Sequence, residues 1–238
     1  MAQPIMSIVG FGPMGKLFTH LFSQDFSVYV SSSRPVKNEV ASLGAVLVSD
    51  RQKIMSKAKY IFLAIPLKAL PELIEEVNVH ASADVVVIDC CSARIPAEQA
   101  LENLHRQHFG MHDVKNGEYC ITGTIDDGMA DFFLKNDIPI VPTTAEEHDR
   151  INSIIGLGHF IALSLECFLS VEEKELLSGN RSGSTLLSLA NRMALNSSTT
   201  WRETQIDNQF TKHQRELFLN AMNRYHQALS DGKYPFTV

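Results

Sequence analysis

The segment Gly10-Phe11-Gly12-Pro13-Met14-Gly15 follows the apolar run Ile5–Val9 directly and opens a stretch in which Met14, Leu17, Phe18, Leu21 and Phe22 recur at helical spacing. A strand, a glycine-rich turn and a helix in that order leave few folds open. The first glycine permits a tight turn, the second lets the backbone approach a pyrophosphate, and the third allows close packing of helix on strand. The helix N-terminus adds N–H donors for the phosphates. The segment therefore predicts a dinucleotide cradle made by Gly10, Phe11, Gly12, Pro13, Met14 and Gly15.

The end of the second strand selects the dinucleotide. An acidic residue there would accept from the ribose hydroxyls of NAD and repel a 2′-phosphate. Ser31-Ser32-Ser33-Arg34 stands there instead, with Lys37 close behind. Hydroxyls and a guanidinium suit a phosphate, so NADP is the expected cofactor, with NAD the alternative.

Strand-like and helix-like stretches alternate through the first half. Strands are expected at 26–30, 45–48, 60–65 and 84–88, and helices at 14–22, 70–77 and 96–104. The near-continuous apolar run at 84–88 suits a strand covered on both faces. The expected fold is an α/β doubly wound parallel sheet over residues 1–142, followed by an all-helical domain over 143–238. Helices are expected there at 145–169, 184–194 and 201–229, with a loop at 178–184 and no strand. The helix at 145–169 is apolar nearly all round, which calls for burial and predicts a homodimer through the C-terminal helices.

A net charge of −6 argues against a nucleic-acid partner. The four cysteines (Cys90, Cys91, Cys120 and Cys167) show no metal-ligand spacing, and no metal is expected. No signal-peptide pattern and no apolar run of the roughly 20 residues a bilayer demands are evident, so the expected setting is cytoplasmic, away from membranes.

Ligands of open α/β sheets sit at the carboxyl ends of strands. Asp89 and Ser92, just after the run 84–88, are therefore expected at the nicotinamide end of the cleft. His108 and His112 lie near another expected strand end, where a histidine can act as general base.

Several segments, in order, resemble the prephenate/arogenate dehydrogenases of tyrosine biosynthesis. They are the glycine motif, Phe62-Leu63-Ala64-Ile65-Pro66, and Asp89-Cys90-Cys91-Ser92-Ala93-Arg94, which is similar to D-x-x-S-x-K. Phe109-Gly110-Met111-His112 resembles the family's G-x-H-P-M, and Glu147-His148-Asp149 with Leu157-Gly158-His159-Phe160 its "HD" and "L-x-H". The segment from Trp201 to Asn208 resembles W-x-[DE]-I-x-x-x-N. The resemblance implies oxidative decarboxylation of prephenate or arogenate, with His112 as base, Ser92 beside it, and Arg192 and His159 on a carboxylate-bearing substrate. It also puts Pro66 on the cofactor. Three departures stand out: Asp113 replaces the Pro after the catalytic His, Arg94 replaces Lys, and the segment from His112 to His148 is short. A carboxylate beside the base would raise its pKa or crowd an anionic substrate. Two other readings keep the cofactor cleft: an imine or keto reductase of the same two-domain architecture, and a non-catalytic nucleotide-binding protein. His148 and Asp149 start a helix, so capping is open to them beside a role at the site.

Overall fold

The computed structural model describes residues 3–115, 117–194 and 198–233. The chain divides between His148 and Asp149 into two compact units. The first is built from β1 (Ile5–Val9), α1 (Pro13–Phe22), β2 (Ser27–Ser31), α2 (Lys37–Ser42), β3 (Val46–Leu47), α3 (Arg51–Met55) and β4 (Tyr60–Leu63). There follow α4 (Leu70–His80), β5 (Val86–Asp89), α5 (Arg94–Leu101), β6 (Gln107–Lys115), β7 (Glu118–Gly123), α6 (Asp127–Lys135) and β8 (Ile140–Thr143). The strands form one eight-stranded sheet in the order β3-β2-β1-β4-β5-β6-β7-β8. Strand order reverses between β1 and β4, which opens a crevice beyond their carboxyl ends.

The sheet departs from the all-parallel expectation at one place: β6 and β7 pair antiparallel. An antiparallel pair needs no helical crossover between its strands. The other pairings are parallel.

Strand alternation explains the apolar runs. On β4, Tyr60 and Phe62 join the aromatic layer of Phe18, Phe22, Phe26 and Phe132, while Ile61 and Leu63 face Leu70, Leu73, Ile74 and Val77 of α4. Phe62 packs against Phe18 with ring centroids 4.3 Å apart. Both faces of the central strands are thus covered by helices, as continuous Val/Ile/Leu composition demands.

The second unit follows from α7 (Ala145–Phe168), whose first turn contains the division. It continues with α8 (Val171–Ser178), α9 (Arg181–Ala194), α10 (Ser198–Arg202), a π-helical turn (Glu203–Asp207) and α11 (Thr211–Ser230). Among the described residues it holds no strand.

Three expectations are corrected here. The loop at 178–184 shrinks to Gly179 and Asn180, because Asn180 caps α9 by accepting from the Gly183 backbone N–H at 2.8 Å. Gly183 also lets α9 lie close on α8, since a Cβ there would meet the Leu177 carbonyl oxygen at 2.1 Å. The helix at 201–229 is broken at Asn208, whose side chain accepts from the Phe210 backbone N–H and donates to the Asp149 carbonyl at 2.8 Å. Finally, α7 does reach the length and mean hydropathy (1.5) of a membrane span by composition alone. Its backbone is engaged in packing within its own unit, where Gln205 donates to the Gly156 carbonyl at 2.9 Å. The burial expected all round α7 is incomplete within that unit: Ile151, Ile154 and Ile155 are exposed.

Candidate active site

The glycine turn is fitted tightly on two sides and open on the third. A Cβ on Gly10, whose φ is +98°, would meet the Ala64 carbonyl oxygen at 2.2 Å, and one on Gly15 would meet the Gly10 carbonyl oxygen at 2.2 Å. At Gly12 nothing lies within 4 Å of the missing Cβ. Gly12 is the N-cap of α1 and supplies no side-chain cap to the first-turn N–H groups. Arg34 folds back over this turn and donates to the Phe11 carbonyl. A cavity of about 490 Å³ next to it is lined by Gly10, Ser31, Ser32, Ser33, Arg51 and Ile65 among others. Ser31 Oγ is buried with no hydrogen-bond partner. Pro66 follows β4 at the same edge of the sheet and starts the short 3₁₀ turn Leu67–Ala69.

Asp89 does not take its expected place in the cleft. It is buried, and both carboxylate oxygens engage the Arg94 guanidinium, Oδ2 with Nη2 at 3.0 Å. Oδ1 also accepts from the Cys91 backbone N–H at 3.0 Å. Arg94 Nε donates to Thr122 Oγ1 of β7 at 3.1 Å. Gly110 of β6 makes room for this guanidinium, since a Cβ there would lie 1.9 Å from Nη2. Burial works against the Arg94 charge, but the Asp89 carboxylate outweighs it and pushes the pKa up. Arg94 is therefore an internal strut.

Ser92 lies in the turn that this pair closes. Its Oγ is 3.3 Å from His112 Nε2, and His112 Nδ1 is 3.3 Å from His148 Nε2. His112 stands within β6 rather than at its end, two residues beyond the Gly110 partner of Asp89 and so at the carboxyl edge of the sheet. His148 is buried in the first turn of α7. Thr144 is the residue whose side chain caps that turn, accepting from the Glu147 backbone N–H at 3.1 Å. That leaves the His148 ring for His112 instead of a cap.

Cys120 of β7 pairs in register with His112, and sequence reading missed it. Burial pushes its thiol pKa up, although Arg94 opposes this. His108, four residues before His112 on β6, has its Nδ1 3.3 Å from the Arg106 carbonyl and stands apart from this group. Asp113 pairs with Tyr119, whose phenol pKa is raised by burial first and by Asp113 second.

In the second unit, three other expected residues come together. The His159 ring meets Trp201 edge-on at 6.2 Å between centroids. Its pKa is lowered by burial first and by the Arg192 charge second. Arg192 is exposed on α9, and Trp201 Nε1 donates to the Met193 carbonyl at 3.2 Å.

Two predictions follow from these geometries. Asp89→Asn strands the Arg94 charge in the interior and should destabilise the chain by about 3–5 kcal/mol in denaturant titration. An effect under 1 kcal/mol would show that the pair does not hold the turn. For His159, the folded state stays neutral where the unfolded chain, with its pKa near 6.5, already binds a proton. Stability is therefore full above that value and falls as pH drops below it toward the lowered folded pKa. The wild type should lose stability relative to His159→Gln over that window, and parallel curves would remove the assignment.

A family model described as NADP oxidoreductase, coenzyme F420-dependent, matches residues 5–93. No curated protein sequence matches the chain. Among solved structures, prephenate dehydrogenase from A. aeolicus, in complex with hydroxyphenyl propionate and NAD+, aligns over 98% of this chain and 92% of its own, at 16% identity and a TM-score of 0.78. Synechocystis arogenate dehydrogenase aligns over 95% and 90%, at 20% identity and a TM-score of 0.56. An imine reductase from Pseudomonas sp. aligns over 98% and 79%, at 10% identity and a TM-score of 0.56. The chain thus shares their fold, a Rossmann-type sheet followed by a helical C-terminal region.

Proposed function

We propose that this chain is an NAD(P)-dependent dehydrogenase that oxidatively decarboxylates prephenate or arogenate, with NADP as the preferred cofactor. The observation that carries the reading is the relay Ser92–His112–His148 at the carboxyl edge of a sheet whose glycine turn is open at Gly12. The cradle fits a dinucleotide: space is open where a Gly12 Cβ would stand, Gly12 gives α1 no side-chain cap, and Ser31, whose hydroxyl has no hydrogen-bond partner, is a lining residue of the adjoining cavity. Gly10, Gly12, Gly15 and the α1 N-terminus would hold the pyrophosphate, while Ser31, Ser32, Ser33 and Arg34 would take the adenosine ribose and its 2′-phosphate.

A bound nicotinamide would supply the acceptor for the hydride leaving the hydroxyl-bearing carbon. The protein's own task is the proton. With Nδ1–H donating to His148 Nε2, His112 keeps its lone pair on Nε2, facing Ser92 Oγ. That nitrogen takes the proton of the ring hydroxyl, and Ser92 hydrogen-bonds the same oxygen. His148 holds the tautomer and shares the charge that develops on His112, as an orienting partner does in other base relays. Arg192 would pair with a substrate carboxylate, with His159 neutral beside it. Loss of CO₂ then follows with aromatisation.

Turnover decides the reaction. The enzyme should form NADPH from NADP⁺ and prephenate or arogenate, and His112→Asn should lower kcat by roughly 10²–10⁴-fold without weakening cofactor binding. Arg34→Ala should weaken NADPH more than NADH. Unaltered turnover in His112→Asn removes the base. Consumption of NADPH with keto or imine substrates alone would identify a reductase, and nucleotide binding without turnover a non-catalytic protein.

The exposed Ile151, Ile154 and Ile155 of α7 support a homodimer through the helical unit. Sedimentation should give twice the chain mass, and Ile154→Lys should return it to one. A wild-type chain that sediments as a monomer at micromolar concentration would end that proposal.

A further inference from the structure

We infer that His112, Cys120 and His148 form a binding site for a soft divalent cation of the Zn²⁺ type, and that its occupation switches His112 off. The ligand atoms of the three residues all lie within 4.8 Å of one another. A tetrahedral zinc with Zn–N of about 2.0–2.1 Å and Zn–S of about 2.3 Å sets its nitrogens about 3.3 Å apart and nitrogen from sulfur about 3.6 Å apart. His112 Nδ1 and His148 Nε2 already stand at 3.3 Å. With all three ligand atoms inside 4.8 Å, rotation of the two rings and of the Cys120 side chain would bring them onto one ion. One thiolate and two imidazoles form a donor set that favours zinc over magnesium or calcium.

The three donors come from separate elements, which is why spacing along the chain does not betray them. Cys120 faces His112 through the antiparallel pairing of β6 and β7, and His148 arrives on the first turn of α7. The electrostatic surroundings permit a cation. The Arg94 charge is neutralised by Asp89. Three protein ligands leave a fourth position for water.

Binding has a defined proton balance. The Cys120 thiol releases its proton to solvent as the sulfur becomes a thiolate ligand. The proton on His112 Nδ1 moves to Nε2 as Nδ1 turns to the metal. His112 Nε2 then donates toward Ser92 Oγ instead of accepting, so it can no longer take a substrate proton. The metal site stands on geometry alone, whereas its inhibitory effect rests on His112 being the base.

The test uses the full chain after chelator treatment, titrated with Co²⁺ and then Zn²⁺. Expected are one equivalent of Co²⁺ with visible bands of tetrahedral intensity, a thiolate-to-cobalt charge-transfer band, and displacement of both by Zn²⁺. Cys120→Ser should abolish the charge-transfer band. It should weaken Zn²⁺ by more than the roughly 10–100-fold that losing an outer-shell partner costs. Cys120→Ala serves as a second thiol-free variant should the serine not fold, and His148→Gln should keep the band but weaken the metal. Octahedral-type Co²⁺ spectra, or a charge-transfer band that survives in the Cys120 variants, overturn the site. Zn²⁺ should also inhibit the wild type and spare Cys120→Ser. Tetrahedral Co²⁺ binding with full turnover in Zn²⁺ would uphold the site and remove His112 as base.

Discussion

The Asp89–Arg94 pair is the interaction on which the rest of the site depends. Both side chains are essentially inaccessible to water, so each has given up a large hydration energy. Mutual attraction in the interior returns it only when the remaining hydrogen-bonding capacity is satisfied as well. Here it is: Cys91 N–H takes one carboxylate oxygen and Thr122 Oγ1 takes the guanidinium Nε. What the pair secures is geometry rather than net stability. It closes the turn after β5, braces that turn against β7, and so sets Ser92 at a fixed distance from the ring of His112. A lysine could carry the charge but not the planar fork that reaches both partners.

The helical unit uses polar side chains in a similar way. The segment from Trp201 to Asn208 resembles a recurrent motif, yet much of it serves packing. Asn208 is buried and donates to the Asp149 carbonyl, Gln205 donates to the Gly156 carbonyl, and Thr211 Oγ1 donates to the Thr204 carbonyl at 2.8 Å. These contacts stabilise a π-helical turn that a continuous helix would not need. Trp201 instead meets the His159 ring edge-on. A sequence motif can thus mix residues that shape a cleft with residues that merely hold its wall.

The parts of the molecule legible in the sequence are those governed locally. Gly10, Gly12 and Gly15 reveal the cradle because backbone clearance is a property of the residue itself, and β4 and β5 show through their unbroken apolar runs. Ser92, His112 and His148 are recoverable from family resemblance, and the structure brings them within hydrogen-bonding reach. Asp89 departs from expectation because its position at a strand end suggests a ligand, whereas its partner, Arg94, sits five residues later, inside the fold. Cys120 was invisible because strand pairing, not spacing, sets it opposite His112. The loop expected around Gly183 failed for a compositional reason: Ser and Gly usually mark turns, but here the glycine serves contact between α8 and α9.

Successive residues of β6 face opposite ways, with Phe109 and Met111 in the core and His112 in the site. A slip of one position against β7 would exchange them, burying an imidazole and exposing a methionine. Arg94 can enter only where residue 110 is glycine, so a mispaired hairpin would leave its guanidinium without a seat. Correct alignment of two strands is therefore checked by an arginine from a third element. Folding cannot finish cheaply with the histidine on the wrong face, so the side on which His112 emerges is proofread as the strands pair.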